Sequence, residues 1–204
     1  MRGKIYQLYL QLLKKYPQTE EIWKVWCQSK KALKTKEEIA MGAILAQRTK
    51  WLNVEKALAN LQKANLLSLA KISRLKNLSK LENLLKPAGF YKTKSKRLFE
   101  FCRFIQLNYG GLTNFTKEDL KTARKKLLGL YGIGPETADS ILLYALEKPI
   151  FVIDEYTRRF VKKNHLAQKL TYDFLQNLFE KNLPREVELY QRYHAFIVSE
   201  GKNS

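Results

Sequence analysis

A pair of glycines followed by proline interrupts an otherwise helical pattern at residues 132–135, Gly-Ile-Gly-Pro. Glycine tolerates a positive φ and a close neighbouring backbone, and proline is accepted in the first turn of a helix. The apolar residues 127–131 before this turn are typical of the end of an amphipathic helix. The stretch therefore predicts a helix, a tight hairpin and a second helix. Several backbone N–H groups would point outward at the start of that second helix, which favours a phosphate oxygen.

An acidic residue follows the hairpin after one further helix length. Asp154 ends an apolar run and lies 18 positions after Glu136, the second residue beyond the hairpin. A carboxylate at this point can act as a base or stabilise a developing positive charge. Because Glu155, Tyr156 and Thr157 follow it, Asp154 is also typical of a helix N-cap. The two roles are compatible, and both stay open at this point.

The charge balance favours a polyanionic partner. The 204 residues include 38 lysines and arginines but only 19 acidic residues, which gives a net charge of +19. Such an excess suits phosphate contacts and counterion release, although ribosomal and surface-binding proteins share it. The chain is long enough for one domain or two small ones. It is the hairpin that turns a general preference for polyanions into a specific prediction of nucleic-acid binding.

Cysteine use and hydropathy indicate a soluble intracellular protein. Cys27 and Cys102 lie far apart and outside any CxxC pattern, so we expect two buried thiols in a reducing compartment. No signal-peptide pattern and no run of apolar residues long enough to span a membrane is found. We therefore expect a cytoplasmic, nucleoid-associated protein without a membrane partner.

The apolar residues recur mostly at steps of three and four, which predicts an all-α fold. No long linker, repeat or low-complexity tract divides the chain. Outside the hairpin unit, the pattern predicts helices over residues 37–49, 51–61, 66–85 (one or two short helices), 94–109, 156–163, 172–183 and 186–200, in addition to helical segments near the N-terminus.

These motifs together resemble the helix-hairpin-helix DNA glycosylases of the endonuclease III family. Residues 128–138 resemble the family's LxGxGxxTA pattern, and Asp154 falls where its catalytic aspartate falls. Residues 43–49, which contain Gln47, resemble its LxxQxT segment, and residues 87–96 resemble its GxxxxKA turn into a helix. The resemblance extends over roughly residues 37–200.

The resemblance implies two helical lobes with a DNA cleft between them. One lobe would comprise residues 37–149, and the other residues 1–36 together with residues 150–204. The family acts on damaged bases in double-stranded DNA during base excision repair. We expect a monomer, because the implied cleft needs both lobes and no symmetric interface.

Two departures from the family pattern bear on the chemistry. Members that also cut the strand carry a lysine where this chain has Glu136, and a carboxylate cannot form their Schiff base. No AP lyase activity is expected unless another amine, such as that of Lys202, reaches the site. Many members bind an iron–sulfur cluster through four cysteines after the last helix, which this sequence does not show. We therefore expect no cluster and no other cofactor, although the resemblance allows a cation at the hairpin.

With both departures, the chain resembles most the bacterial 3-methyladenine DNA glycosylase branch, which is monofunctional. The resemblance implies that Asp154 is catalytic, that Gly132, Ile133 and Gly134 bind a phosphate, and that Gln47 fills the gap left by the extruded nucleotide. Flat aromatic faces bind a cationic base through cation–π attraction. The candidate pocket residues are Trp51, Trp23, Trp26, Glu136 and Lys202.

Each assignment has a structural alternative. The three tryptophans could belong to the core, Gln47 could be a polar residue at a helix end, and Glu136 could favour the helix dipole. His194, in the last helix, is interpreted as structural. Two other functions also stay open: a glycosylase for oxidised or mismatched bases, and a non-catalytic helix-hairpin-helix module that binds DNA. Asp154, which lies at the family's distance from the hairpin, argues against the non-catalytic module, because a module that only binds DNA needs no carboxylate there.

Overall fold

The computed structural model describes residues 3–16, 21–28 and 30–202, and within these ranges the chain is helical, with no β-strand. The all-α prediction is confirmed. The helices are α1 (Lys4–Lys15), α2 (Glu21–Trp26), α3 (Leu33–Leu45), α4 (Trp51–Lys63), α5 (Leu69–Ser73), α6 (Ser79–Leu85), α7 (Tyr91–Tyr109), α8 (Leu112–Phe115), α9 (Leu120–Leu128), α10 (Pro135–Ser140), α11 (Glu155–Lys163), α12 (Tyr172–Asn182) and α13 (Val187–Lys202). A 3₁₀ turn spans Lys86–Ala88 and a π-helical turn spans Ile141–Ala145. None of these described helices is both long and apolar enough to cross a membrane.

The chain divides into two compact units. One consists of residues 31–141, and the other combines residues 1–30 with residues 142–204. Both boundaries fall earlier than those predicted, after residues 36 and 149. The functional division into two lobes with a DNA cleft stays a prediction.

The middle unit, residues 31–141, is built around the long helix α7. Leu98, Phe101 and Ile105 lie on one face of α7 and are completely buried. Each such side chain contributes roughly 1.5–3 kcal/mol relative to an exposed position. Lys94 is also buried, and its Nζ donates to the carbonyl of Ala88 at 2.7 Å, which caps the 3₁₀ turn before α7. Helix α7 begins at residue 91 rather than 94, so that the GxxxxKA-like segment forms the turn and the first helical residues.

A buried ion pair joins the two helices on either side of the hairpin. Arg124 on α9 donates from Nε to Oδ1 of Asp139 at 2.8 Å and from Nη2 to Oδ2 at 3.1 Å. The Asp139 side chain on α10 is completely buried, whereas that of Arg124 is 25% exposed. Because a two-point contact between a guanidinium and a carboxylate fixes direction as well as distance, this pair sets how α9 and α10 meet.

The unit formed by the two chain ends is centred on helix α13. Tyr190 and Tyr193 are completely buried on it, and the Tyr193 hydroxyl donates to the carbonyl of Ile5 on α1 at 2.9 Å. This bond fastens the N-terminal helix to the C-terminal one. The predicted helix over residues 186–200 is observed as 187–202, a difference of one or two residues at each end.

The segment before Asp154 is not helical, and its apolar side chains are buried. Phe151 stacks on Phe179 of α12, with ring centroids 4.4 Å apart. Its backbone N–H donates to Glu180 at 2.8 Å, and its carbonyl accepts from Gln176 at 2.8 Å. These two side chains replace the backbone partners that the segment lacks, because a buried peptide group must be paired. The segment therefore delivers Asp154 to the start of α11 in a fixed position.

Candidate functional site

The hairpin between α9 and α10 uses its two glycines differently. Gly132 has φ of +73°, which favours glycine, whereas Gly134 has φ of −89° and ψ of 177°, which any residue adopts. Helix α9 ends at Leu128, so the predicted continuation through Leu130 and Tyr131 is wrong, and both residues lie in the turn. The Ile133 side chain is buried and anchors the tip of the turn in the unit.

One of the three predicted phosphate donors is already used. The N–H of Ile133 donates to the carbonyl of Leu130 at 3.1 Å, so Ile133 anchors the turn and is not a free donor. For Gly132 and Gly134, the described residues offer the N–H no hydrogen-bond partner. These two N–H groups at the start of α10 are therefore the ones suited to an anion, and phosphate binding by them stays a prediction.

Gln47 braces the hairpin from the end of α3. The predicted helix over residues 37–49 is observed as 33–45, and Gln47 lies in the turn after it, where Arg48 has φ of +53°. The Gln47 Nε2 donates to the carbonyl of Gly132 at 3.0 Å and to Oγ1 of Thr137 at 2.9 Å. Its Oε1 accepts from Nη1 of Arg97. The amide is thus fully engaged within the unit, and the gap-filling role stays a prediction.

Arg97 completes this brace and was not singled out from the sequence. It belongs to α7, its guanidinium packs against the α-carbon of Gly132, and its Nη1 fixes Gln47. The Arg97 guanidinium and the Nζ of Lys96 lie over the ring of Tyr131, at 6.0 and 4.8 Å from its centroid. The only signal for Arg97 in the sequence is that it is one of several basic residues at the end of the GxxxxKA-like segment. The local sequence does not show which of these residues contacts the hairpin.

Replacement of Gly132 by alanine is expected to lower DNA affinity at least about tenfold, which corresponds to roughly 1.4 kcal/mol. Alanine at this position would have to adopt a φ of +73°, which is strained for a residue with a side chain. Its β-carbon would also lie 2.7 Å from Cδ of Arg97. Both effects displace the turn and its outward N–H groups. Fluorescence anisotropy with a labelled duplex at low salt measures the change.

Gly134→Ala is the matched control, because an added β-carbon there meets no atom within 4 Å and the φ is ordinary. It should bind DNA within about twofold of the original chain. Equal losses in both variants would show that the φ of Gly132 and its contact with Arg97 do not set the affinity.

Asp154 caps helix α11, as the sequence predicts. Its Oδ1 accepts two hydrogen bonds from Thr157, one from the backbone N–H at 2.7 Å and one from Oγ1 at 2.8 Å. Its Oδ2 lies 3.5 Å from Nε2 of His194 on α13. The carboxylate is mostly buried, with 14% of the side chain exposed. One oxygen is therefore used for structure, and the other faces an imidazole.

The surroundings of Asp154 favour its ionised form. Burial acts to raise the pKa of this carboxyl, but the charge and hydrogen-bonding interactions with His194 and the bonds from Thr157 outweigh it. The net pKa of Asp154 lies below its ordinary value, so the group is a carboxylate at neutral pH. An ionised carboxylate with one uncapped oxygen can stabilise positive charge or accept a proton from water. The role of Thr157 in holding Asp154 was not predicted; the one signal for it in the sequence is its position three residues after a candidate helix cap.

Trp23 and Trp26 lie in the same unit as Asp154, but both indoles are mostly covered. They are 8% and 9% exposed and pack against Tyr144, with centroids 5.7 and 5.1 Å away. Trp23 also meets His194 edge-on at 6.0 Å. This packing favours the interpretation that the two tryptophans belong to the core, and a role in binding a base stays a prediction.

The other predicted pocket residues are more accessible. Trp51 is half-buried at the first position of α4, and Glu136 is exposed in the first turn of α10. Lys202 is exposed as the last residue of α13. Trp51 and Glu136 belong to the middle unit and Lys202 to the unit of the chain ends, and their common pocket stays a prediction.

The described side chains contain no cluster of three His, Cys, Asp or Glu residues that could hold a metal ion. The presence of a cation at the hairpin stays a prediction. Cys102 is buried as expected, whereas Cys27 is half-buried, contrary to expectation. Two cysteines do not supply the four thiolates that an iron–sulfur cluster needs, so the residues of this chain do not fit that group.

A glycine hairpin between two helices and an aspartate that caps a later helix define the class of protein. A family model, the HhH-GPD superfamily of base excision DNA repair proteins, matches residues 41–185. The chain belongs to this superfamily, and the resemblance stated from its motifs is confirmed.

The chain is similar to particular proteins of this class. A Methanocaldococcus jannaschii protein that carries the provisional name DNA repair glycosylase is 46% identical over 171 residues, which cover 82% of this chain and 77% of that protein. The Helicobacter pylori 3-methyladenine DNA glycosylase, in its crystal structure with 1,N6-ethenoadenine, is 32% identical in sequence to this chain. The two structures superpose with a TM-score of 0.81, and the match covers 98% of both chains. A trapped endonuclease III–DNA covalent intermediate is 16% identical, with a TM-score of 0.75 over 97% of this chain and 84% of that one. This last likeness concerns the fold alone.

Proposed function

We propose that this protein is a monofunctional DNA glycosylase that hydrolyses the N-glycosidic bond of alkylated purines such as 3-methyladenine. The observation that carries the proposal is a carboxylate at position 136, where lyase members have an amine, in a chain that keeps Asp154 as the cap of α11 with its Oδ2 facing His194. The likeness to the 3-methyladenine glycosylase over 98% of both chains supports the same substrate class.

Asp154 acts on the sugar in this proposal. The target nucleotide leaves the duplex, because its glycosidic bond is out of reach inside the stack. As that bond breaks, positive charge develops on the sugar, and the Oδ2 of Asp154 stabilises it electrostatically. The same carboxylate orients a water molecule and accepts its proton, which produces free base and an abasic site. Thr157 keeps the carboxylate in place by holding Oδ1.

The substrate class follows from the chemistry of the leaving group. An N3-alkylated adenine is already a cation, so it departs without a general acid. The enzyme then needs a pocket that selects a flat cation, and Trp51 is the most accessible of the three tryptophans for that purpose. A stacked indole would contribute roughly 0.5–2 kcal/mol through cation–π attraction. Glu136 would add attraction for a cationic base if it reaches the pocket.

Damaged double-stranded DNA is the proposed partner. The N–H groups of Gly132 and Gly134 bind a phosphate of the lesion strand, and the net charge of +19 supplies general attraction. Gln47 fills the gap after leaving its bonds to the hairpin. The protein acts as a monomer in the cytoplasm, at the nucleoid, without an iron–sulfur cluster and without lyase activity.

Base release from methylated duplex DNA, followed by chromatography of the free bases, tests the proposal. We expect 3-methyladenine to appear while the DNA strand stays intact until the abasic sites are cleaved by alkali. Borohydride should trap no protein–DNA adduct, because no amine replaces the missing lysine. A strong adduct would contradict the monofunctional assignment and direct attention to Lys202.

Parallel duplexes that contain thymine glycol or a G·T mismatch serve as the specificity control. Faster release from either of these than from methylated DNA would favour a glycosylase for oxidised or mismatched bases. Tight, salt-sensitive DNA binding without release of any base would favour a binding module instead.

A further inference from the structure

His194 is buried with both ring nitrogens next to polar groups of other elements. Its Nδ1 lies 2.7 Å from the hydroxyl of Tyr144, in the π-helical turn, and its Nε2 lies 3.5 Å from Oδ2 of Asp154. No described residue forms a hydrogen bond with Nε2, although this atom is inaccessible to solvent. A buried polar atom without a partner is costly, so its direction toward Asp154 needs an explanation.

The position of the imidazole proton follows from these partners. If Nε2 carried a bare lone pair, it would face a carboxylate oxygen, and the two would repel each other. Nε2 is therefore assigned an N–H, in either the neutral or the charged form of the ring. In the neutral form, Nδ1 then accepts from the Tyr144 hydroxyl, and 2.7 Å is an ordinary distance for that bond.

Tyr144 is well placed to hold this tautomer. Burial raises the pKa of its hydroxyl well above the usual value, so the group keeps its proton and acts as a donor. The hydroxyl has a single proton, which goes to Nδ1 at 2.7 Å when the ring is neutral, and to the carbonyl of Gln191 at 3.2 Å when the ring is charged and Nδ1 itself donates. The Gln191 side chain donates to the carbonyl of Leu143 at 2.8 Å. This arrangement ties the π-helical turn to α13 at Gln191 as well as at His194.

The titratable groups that face His194 are few. Helix α11 contributes Asp154 at its cap, and the π-helical turn contributes Tyr144. Helix α2 contributes the uncharged Trp23, which lies edge-on to the ring, and the thiol of Cys27 just after it interacts electrostatically with Tyr144. Among the described contacts of the ring, Asp154 is the one carboxylate.

We propose that His194 is a positioning residue for Asp154, and that Tyr144 fixes the imidazole tautomer which directs Nε2–H at Oδ2. The catalytic consequence rests on the proposed function, but the geometry does not. Thr157 already saturates Oδ1, so the Nε2–H controls the orientation of the oxygen that would face the sugar or the water. At 3.5 Å the contact is longer than a hydrogen bond, and such contacts often shorten in the complex with substrate.

The loss of this donor should change the ionisation of Asp154. Burial and the stabilising contacts act in opposite directions on its pKa, and His194 supplies part of the stabilising side. Without the imidazole, the pKa of Asp154 should rise, because a positive charge and a hydrogen-bond donor next to the carboxylate are lost. The carboxylate form would then be lost at a higher pH, and its reactive oxygen would lose its fixed orientation.

Carbon-detected NMR titration of the side-chain carboxyls in the intact, DNA-free protein is the primary test. We expect the titration midpoint of Asp154 to rise in His194→Leu and to rise less in His194→Gln, which keeps an N–H but cannot supply the charge of an imidazolium. Asp119 is the internal reference, because it caps α9 in the same way, by accepting from the backbone N–H of Thr122. An unchanged Asp154 midpoint in His194→Leu would overturn the proposal.

Nitrogen-15 spectra of the His194 ring provide a second test, which also applies if His194→Leu does not fold. We expect the neutral ring to carry its proton on Nε2 in the original chain and to lose that preference in Tyr144→Phe. A neutral ring protonated at Nδ1 in the original chain would overturn the proposal. If His194 were only a packing residue, removal of the Tyr144 hydroxyl would not be expected to change its tautomer.

The pH profile of single-turnover base release separates this inference from the proposed function. Because 3-methyladenine is permanently charged while it is joined to the deoxyribose, an acid limb of the rate reports the enzyme and not the leaving group. We expect this limb to move to higher pH in His194→Leu and to move less in His194→Gln. Base release with an unmoved limb would leave the function standing and contradict the role of His194. No base release, with the NMR shifts as expected, would contradict the function alone.

Discussion

Asp154→Asn should reduce the rate of base release by about 10²- to 10⁴-fold and leave the fold intact. Asparagine caps helices about as well as aspartate, and its carbonyl oxygen can still accept both bonds from Thr157. What disappears is the negative charge that stabilises the sugar cation and the base that accepts a proton. Duplex binding should be unchanged or tighter, because a negative charge has been removed from a protein that binds a polyanion. Single-turnover release and anisotropy measure the two effects.

Asp119→Asn is the matched control for this substitution. Asp119 also caps a helix, with Oδ1 accepting from the N–H of Thr122 at 3.0 Å, but it is exposed and lies at the start of α9. The same chemical change there should alter base release by less than about twofold. If Asp154→Asn released base at the original rate, the mechanism proposed for Asp154 would be wrong, whatever the substrate.

Arg124→Ala should lower the free energy of unfolding by about 3–5 kcal/mol. The substitution leaves the completely buried carboxylate of Asp139 without its two-point partner, and a buried charge that loses its partner is strongly destabilising. Because this pair joins α9 to α10, duplex affinity should fall as well. Urea denaturation followed by circular dichroism measures the stability, and anisotropy measures the affinity.

Arg159→Ala provides the comparison for an exposed pair. Arg159 donates to Glu155 at 3.2 Å within α11, but both side chains are about two-thirds exposed. Solvent screening limits such a pair to about 0–1 kcal/mol. Comparable losses in the two arginine variants would contradict the view that burial makes the Arg124–Asp139 pair important. The double variant with Asp139→Asn would give the coupling energy between the two side chains directly.

Much of the middle of the chain was predictable because its signals are local. A glycine pair followed by proline, with apolar residues at helical spacing on each side, indicates helix, turn and helix without any tertiary information. Asp154 was recognisable as a helix cap from its own sequence context, and α11 begins directly after it. Helix ends were less accurate: α3 spans residues 33–45 instead of 37–49, and the positive φ of Arg48 in the turn after it is not revealed by periodicity.

The sequence by itself indicated the class of chemistry through three features: a glycine hairpin of the kind that suits a phosphate, a carboxylate at position 136 and an aspartate at a fixed distance beyond it. Only the tertiary structure decided how these residues are held. Gln47 and Arg97 are 50 positions apart, and Asp154 and His194 are 40 apart, yet each pair meets through helix packing. Turn chemistry and helical period depend on neighbours a few residues away, so they can be predicted from the chain. A hydrogen bond between distant side chains depends on the packing of whole helices, which fixes its partners only after the fold has formed.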